Sequence, residues 1–175
     1  MTEMWKVLLL FTIPIGGGIP AGVVLAQKYG FEWYFTSFLY FLSDVLLAIA
    51  FEPLMLLFIK KSETVPAMTK LREAMAKSTK MTVDRLGIRP GPLSLIAITF
   101  GIDPMTGRAV SKSIGHGFFF GWTLVIIGDM FYFWVIIAST LWLNHILGDG
   151  TWTVIIITVA LFVIPSLFKR NATAK

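Results

Sequence analysis

Between Trp33 and Ile59, and again between Phe118 and Leu143, the chain runs on mostly apolar residues, with charge only at Asp44 and Glu52 in the first stretch and Asp129 in the second. A helix needs about 20 such residues to cross the hydrocarbon core of a bilayer. Both stretches exceed that length, which leaves room for tilt. A third run, Thr151–Phe168, is shorter but carries an uninterrupted apolar core from Val154 to Ile164. The remaining two, Val7–Gln27 and Pro92–Val110, are broken by Pro14, Pro20, Pro92 and Pro104 and by glycines that include Gly16, Gly17, Gly18, Gly22, Gly101 and Gly107. A composition 56% hydrophobic and 14% charged agrees with this pattern, because a soluble chain of 175 residues leaves too much surface wet to hide it. Without cysteine, the chain is neither a disulfide scaffold nor a zinc-finger module.

The reading is therefore an all-α integral membrane protein with three full transmembrane helices and two Pro/Gly-broken segments, each a re-entrant or half-helix element. Residues 1–59 form a first membrane half, with the broken segment at 7–27 and a helix at 33–59. Residues 60–91 form a basic linker. Residues 92–168 form a second half, with a re-entrant segment at 92–110 and helices at 118–143 and 151–168, and 169–175 is a tail. The first stretch has some look of a signal peptide, with Lys6 ahead of an apolar core, but two prolines and four glycines make it a poor one. It reads as a retained, broken membrane segment, and whether it spans is left open.

Charge orients the chain. Eight of the 15 basic residues (Lys60, Lys61, Lys70, Arg72, Lys77, Lys80, Arg85 and Arg89) fall in the linker, which the positive-inside rule assigns to the cytoplasm. Lys169, Arg170 and Lys175 make the C-terminal tail cytoplasmic as well. That requires the third stretch to dip in and return, keeping Arg108 and Lys112 inside. Non-helical backbone at membrane depth persists only against protein or a water-filled cavity, so a re-entrant segment points to one. Within the linker, Val65, Met68, Leu71 and Met75 recur at helical spacing behind Pro66, as in a basic amphipathic helix lying on anionic inner-leaflet lipid. This accounts for the net charge of +5 without nucleic acid, for which no binding module is present.

The two halves echo each other. Pro20 lies 24 residues before Asp44 and Pro104 lies 25 before Asp129. Each acid sits inside a long aromatic-rich helix that follows a broken segment. Paired interrupted segments of this kind mark binding sites in transporters with inverted repeats. Acids in mid-membrane cost a few kcal/mol unless protonated, paired or wetted, and are functional by default. Asp44, Glu52 and Asp129 are thus candidates for proton or cation binding, Arg108 for an anionic group, and Asp103 for the same polar site. Pro20, Gly22, Pro104 and Gly107 are the expected backbone hinges. After an Asp103-Pro104-x-x-Gly107 turn, a half-helix could start at Ala109, with Arg108 at its positive end. The bland alternatives are that Glu52 pairs with Lys60 or Lys61, that Asp103 only starts a turn, and that Arg108 snorkels to headgroups. His116 and His145 are too far apart for a metal site, and no nucleophile elbow or phosphate loop is present. Trp5, Trp33, Tyr34, Trp142 and Trp152 read as an interfacial belt.

The order of these features resembles the small multidrug export proteins and, more distantly, the DedA-like membrane proteins. The matching residues are Gly18-Ile19-Pro20-Ala21-Gly22 and Asp103-Pro104-Met105-Thr106-Gly107. The Glu-x-Arg that precedes the first Ile-Pro in the former family is replaced by Ile15, Gly16 and Gly17, and of the arginine expected from each DedA hairpin only Arg108 is available. The resemblance implies paired re-entrant segments and transport. The expectation is a small inner-membrane transporter or lipid-carrier-like protein, proton-coupled, for an anionic or amphipathic substrate. It would work as a homodimer or beside partner membrane subunits, without cofactor, metal or catalytic residues. The rival classes are a non-catalytic subunit or scaffold of a membrane complex and a lipid-acting enzyme.

Overall fold

The computed structural model describes residues 2–12, 18–62, 92–100, 104–113 and 115–172, and every regular element among them is a helix. They are α1 (Thr2–Thr12), α2 (Gly18–Lys28), α3 (Trp33–Ser62), α4 (Pro92–Thr99), α5 (Pro104–Ser113), α6 (Phe118–Leu147) and α7 (Gly150–Ala172). Two of them, α3 over Trp33–Leu57 and α6 over Phe118–Leu147, are long and apolar enough to cross a membrane. The apolar stretch described in α7, Gly150–Leu161, is shorter than a crossing requires. The amphipathic helix expected near 64–75, the rest of the linker over 63–91, and the end of the tail at 173–175 lie outside the described residues.

Both broken segments are pairs of short helices that pack on each other, α1 on α2 and α4 on α5. Pro20, Gly22, Pro104 and Gly107, the residues expected as hinges, all lie inside α2 or α5. Proline is at ease there because the first-turn N–H groups have no intrahelical partner to lose. Pro104 is the first residue of α5, so the half-helix starts ahead of Arg108 and not at Ala109. The glycines are packing residues. A Cβ on Gly22 would run into the Phe11 ring, and one on Gly107 into the Thr99 side chain.

The helices end alike. At the end of α2, the Phe31 N–H donates to the Ala26 carbonyl and the Gly30 N–H to that of Gln27. At the end of α5, the His116 N–H donates to Ser111 and the Gly115 N–H to Lys112. This is the same paired cap with a left-handed residue, φ +73° at Gly30 and +93° at Gly115, where glycine avoids a Cβ penalty. A 30-residue helix then follows in each case. Gly22, Gly30, Trp33 and Asp44 therefore recur at the same spacing as Gly107, Gly115, Phe118 and Asp129.

By contact the chain divides into two units, Met1–Ser43 with Phe133–Lys175, and Asp44–Tyr132. The first has an apolar centre: Tyr40 and Phe133 stack at 4.0 Å and 10°, and Phe11 meets both edge-on. α2 packs on α7, whose first turn is capped by Asp149 Oδ1 accepting from the Thr151 N–H at 2.7 Å. In the second unit Ala48, Trp122 and Val125 form one buried cluster, and Leu95, Val110 and Leu124 another.

Candidate functional site

The polar residues of interest converge in the second unit. Arg108, in the second turn of α5, is fully buried at 0% exposure. Its Nε–H donates to Glu52 Oε2 at 2.8 Å and its Nη2 to Glu52 Oε1 at 2.6 Å, a two-pronged ion pair. The Trp122 Nε1–H donates to the same Oε2 at 2.9 Å, so Glu52 receives three charge-assisted or indole donors. Arg108 Nη1 reaches the His116 carbonyl at 3.3 Å. Glu52 thus pairs with Arg108 rather than with Lys60 or Lys61, because a half-helix delivers a cation to a level of α3 where an unpaired carboxylate would be far more costly.

Glycine makes room for this arrangement. A side chain on Gly121 would strike Arg108 and the Ser111 hydroxyl, so α6 comes close to α5 only because that position is bare. At Gly128 a Cβ would meet Thr99 and the Ile96 carbonyl, so α4 is pressed equally close against α6. Ser111 Oγ and His116 Nε2 are buried with no hydrogen-bond partner, which leaves two polar atoms unspent around the guanidinium.

Asp44 and Asp129 are both buried, at 3% and 2% exposure. Asp44 and Glu52 are eight residues apart on α3, Trp122 and Asp129 seven apart on α6, so each pair shares a helix face. Glu52 meets Trp122 and Ala48 packs with Val125, so in this unit the two helices run antiparallel and Asp44 lies opposite Asp129. The sequence reading brought together Asp44, Glu52, Asp129 and Arg108 as candidates, and all four are here. Asp103 lies outside the described residues. Trp122, Ser111, Gly121 and Gly128 are additions; the seven-residue spacing of Trp122 from Asp129 is the signal that could have found the first. Among the described residues no group of three or more His, Asp or Glu side chains is placed to hold a metal ion. His116 packs edge-on against Phe120 at 5.0 Å, and His145 is exposed.

No family model matches the chain, and no curated protein or solved structure matches it either.

Proposed function

We propose that the chain is a small multi-pass transporter or lipid-carrier-like protein of the cell inner membrane, acting on an anionic or amphipathic substrate. The observation that carries this reading is the buried Arg108–Glu52 pair. Full charges among membrane-crossing helices are costly and mark substrate or ion pathways. The guanidinium fork suits carboxylate and phosphate equally, so a substrate anion and Glu52 compete for one site, assisted by the Trp122 N–H and the Ser111 hydroxyl. The short helices fit re-entrant hairpins. At 1.5 Å per residue, 11 residues of α1 or α2 cover about half of a ~30 Å core, and α4 and α5 less. The matched glycines, caps and acids fit an inverted repeat, as in many secondary transporters. In this reading the basic linker and the C-terminal tail face the cytoplasm and anionic lipid, and a second copy of the chain completes the pathway. The scaffold reading keeps one point in its favour: Glu52 already satisfies Arg108, as a static membrane subunit would require.

Reconstitution into phosphatidylcholine/phosphatidylglycerol vesicles separates the two. The full chain should speed the exchange of fluorescent phosphatidylglycerol between leaflets or the release of entrapped phosphate, and Arg108→Lys and Arg108→Gln should return either to the protein-free rate. Lys keeps the charge but loses the fork. If neither probe moves faster than in empty vesicles, the scaffold reading takes over.

A further inference from the structure

The ion pair leaves a second set of buried charges unexplained, the acids Asp44 and Asp129. We propose that these two carboxyl groups form a single proton-binding site, holding one proton that both acids share.

The first argument is stoichiometric. The register that packs Ala48 with Val125 and brings Glu52 to Trp122 sets the buried Asp44 opposite the buried Asp129 one turn further on, and since a carboxylate only accepts hydrogen bonds, the two can bond to each other only with a proton on one of them. Two bare carboxylates in contact would repel at close range in a low-dielectric setting, and such pairs characteristically keep one proton between them.

The second argument is the set of titratable groups that the described residues place around the pair, and an acceptor left open on Asp44. On α5, Arg108 is bound through Nε and Nη2 to Glu52, and Lys112 lies exposed near the end of the helix. On α3, Tyr40 stands one turn before Asp44 and carries a phenol, and Glu52, an acid, stands two turns after it. On α6, Tyr132 follows Asp129 within one turn and is a neutral phenol, and His116 precedes the helix at the far side of Arg108. α4 carries no titratable side chain. Asp44 Oδ2 is buried without a partner, so an acceptor stands open beside the contact.

The third argument is positional. Asp44 and Asp129 are each the twelfth residue of a 30-residue helix, and each follows a left-handed glycine cap at the same distance. Exchanging every residue for its counterpart carries the Asp44–Asp129 contact onto itself. Other contacts change chemistry under that exchange: the Tyr40–Phe133 stack becomes Val125 with Ala48, which share a cluster in the second unit. The acid pair is carried onto itself, so the two acids hold equivalent places in the two halves. A proton held between equivalent acids on two different helices is a ligand that a relative shift of those helices would release. The site stands on its own contacts and does not depend on the substrate reading.

Infrared spectroscopy on the full chain in phosphatidylcholine/phosphatidylglycerol nanodiscs at pH 7 tests it. The wild type should show one protonated-carboxyl C=O band per chain that shifts in D2O. Asp44→Asn and Asp129→Asn should each remove the band, and to the same extent, because the Asn amide donates to the remaining carboxylate and replaces the proton. A pH jump should release one proton fewer in either variant, with no further loss in the double variant. Asp44→Glu should keep a displaced band, which separates loss of the site from loss of fold. The proposal is overturned by a wild type without the band, by a band that survives both Asn variants, or by one lost in only one of them. Loss of the band in Asp44→Glu with wild-type circular dichroism would also overturn it. Transport assays play no part in these readouts, so failure of the transporter reading leaves them intact.

Discussion

The two units are built from matching parts and filled with opposite chemistry. In each, a pair of short helices packs beside the start of one 30-residue helix and the end of the other. In the second unit the charged trio is Arg108, Glu52 and Trp122. Val23 stands as far before Asp44 as Arg108 stands before Asp129. Ile137 and Glu52 are each the twentieth residue of their long helices, and Ser37 and Trp122 each the fifth. The first unit is thus Val23, Ile137 and Ser37 where the second is Arg108, Glu52 and Trp122, and all six are buried. The fold does not need the ion pair, since the same framework closes with apolar side chains in its place. The ion pair is thus present in one unit and absent from the matching places of the other.

The largest effect should come from breaking the trio on one side. Glu52→Ala leaves the buried Arg108 cation unpaired and should cost about 3–5 kcal/mol of stability. Converting the second unit toward the first, with Arg108→Val and Glu52→Ile together, should restore most of that loss, since buried ion pairs are often replaceable by apolar residues without penalty. The stability of the double variant, read by SDS-induced unfolding, checks the comparison directly. If it is no more stable than Glu52→Ala, the ion pair is part of the framework and the two units are not equivalent. Phosphatidylglycerol exchange and phosphate release should be absent in both variants.

Much of this was legible in the chain and some was not, for reasons that differ by residue. Asp44 and Asp129 stand out because an acid in a long apolar run has no ordinary reason to be there. The two long helices follow from run length alone. The packing at Gly22 and Gly107 is not legible, because a glycine near a proline reads as a turn and only the partner across the gap, Phe11 or Thr99, shows how closely it is packed. The Arg108–Glu52 pairing joins residues 56 positions apart, with no periodicity linking them. Trp122 shares a helix face with Asp129 through its seven-residue spacing, but only the structure shows that its N–H turns to the Glu52 carboxylate.

A middle-sized effect should expose a difference in how tightly the short helices are held. Gly128 and Ser43 each stand one residue before the acid of their helix. Ser43 carries a side chain that donates to the Tyr40 carbonyl at 2.6 Å, so its unit tolerates one. Gly128 has Thr99 and the Ile96 carbonyl where a Cβ would be, and backbone cannot swing aside as a side chain can. Gly128→Ala should therefore cost about 1–3 kcal/mol from overpacking, in spite of alanine's better helix propensity. Ser43→Ala loses one local hydrogen bond and should cost no more than about 1 kcal/mol. Hydrogen exchange should show α4 loosened by Gly128→Ala. Equal costs for the two variants would mean that α4 does not press on α6 as closely as the structure places it.

The smallest effect tests the part of the comparison in which the units should agree. Gly30 and Gly115 close α2 and α5 with the same hydrogen bonds and with positive φ, and neither has any atom within 4 Å of where a Cβ would sit. Packing is thus removed from the problem, and Gly→Ala at either position reports the backbone cost alone. That cost is about 1–2 kcal/mol for an L-residue held in the left-handed region, and asparagine should recover part of it because its side chain tolerates that conformation. Gly30→Ala and Gly115→Ala should lower stability by the same amount, and the corresponding Asn variants by less. Hydrogen exchange should rise at the Phe31 N–H in the first case and at the His116 N–H in the second, since these are the bonds the left-handed residue permits. The His116 carbonyl also receives Arg108 Nη1, so Gly115→Ala carries one consequence its counterpart lacks. Any extra loss there should appear as weakened phosphatidylglycerol exchange or phosphate release, with no further drop in stability. A stability gap between the two alanine variants would show that the caps are alike in geometry and unlike in load.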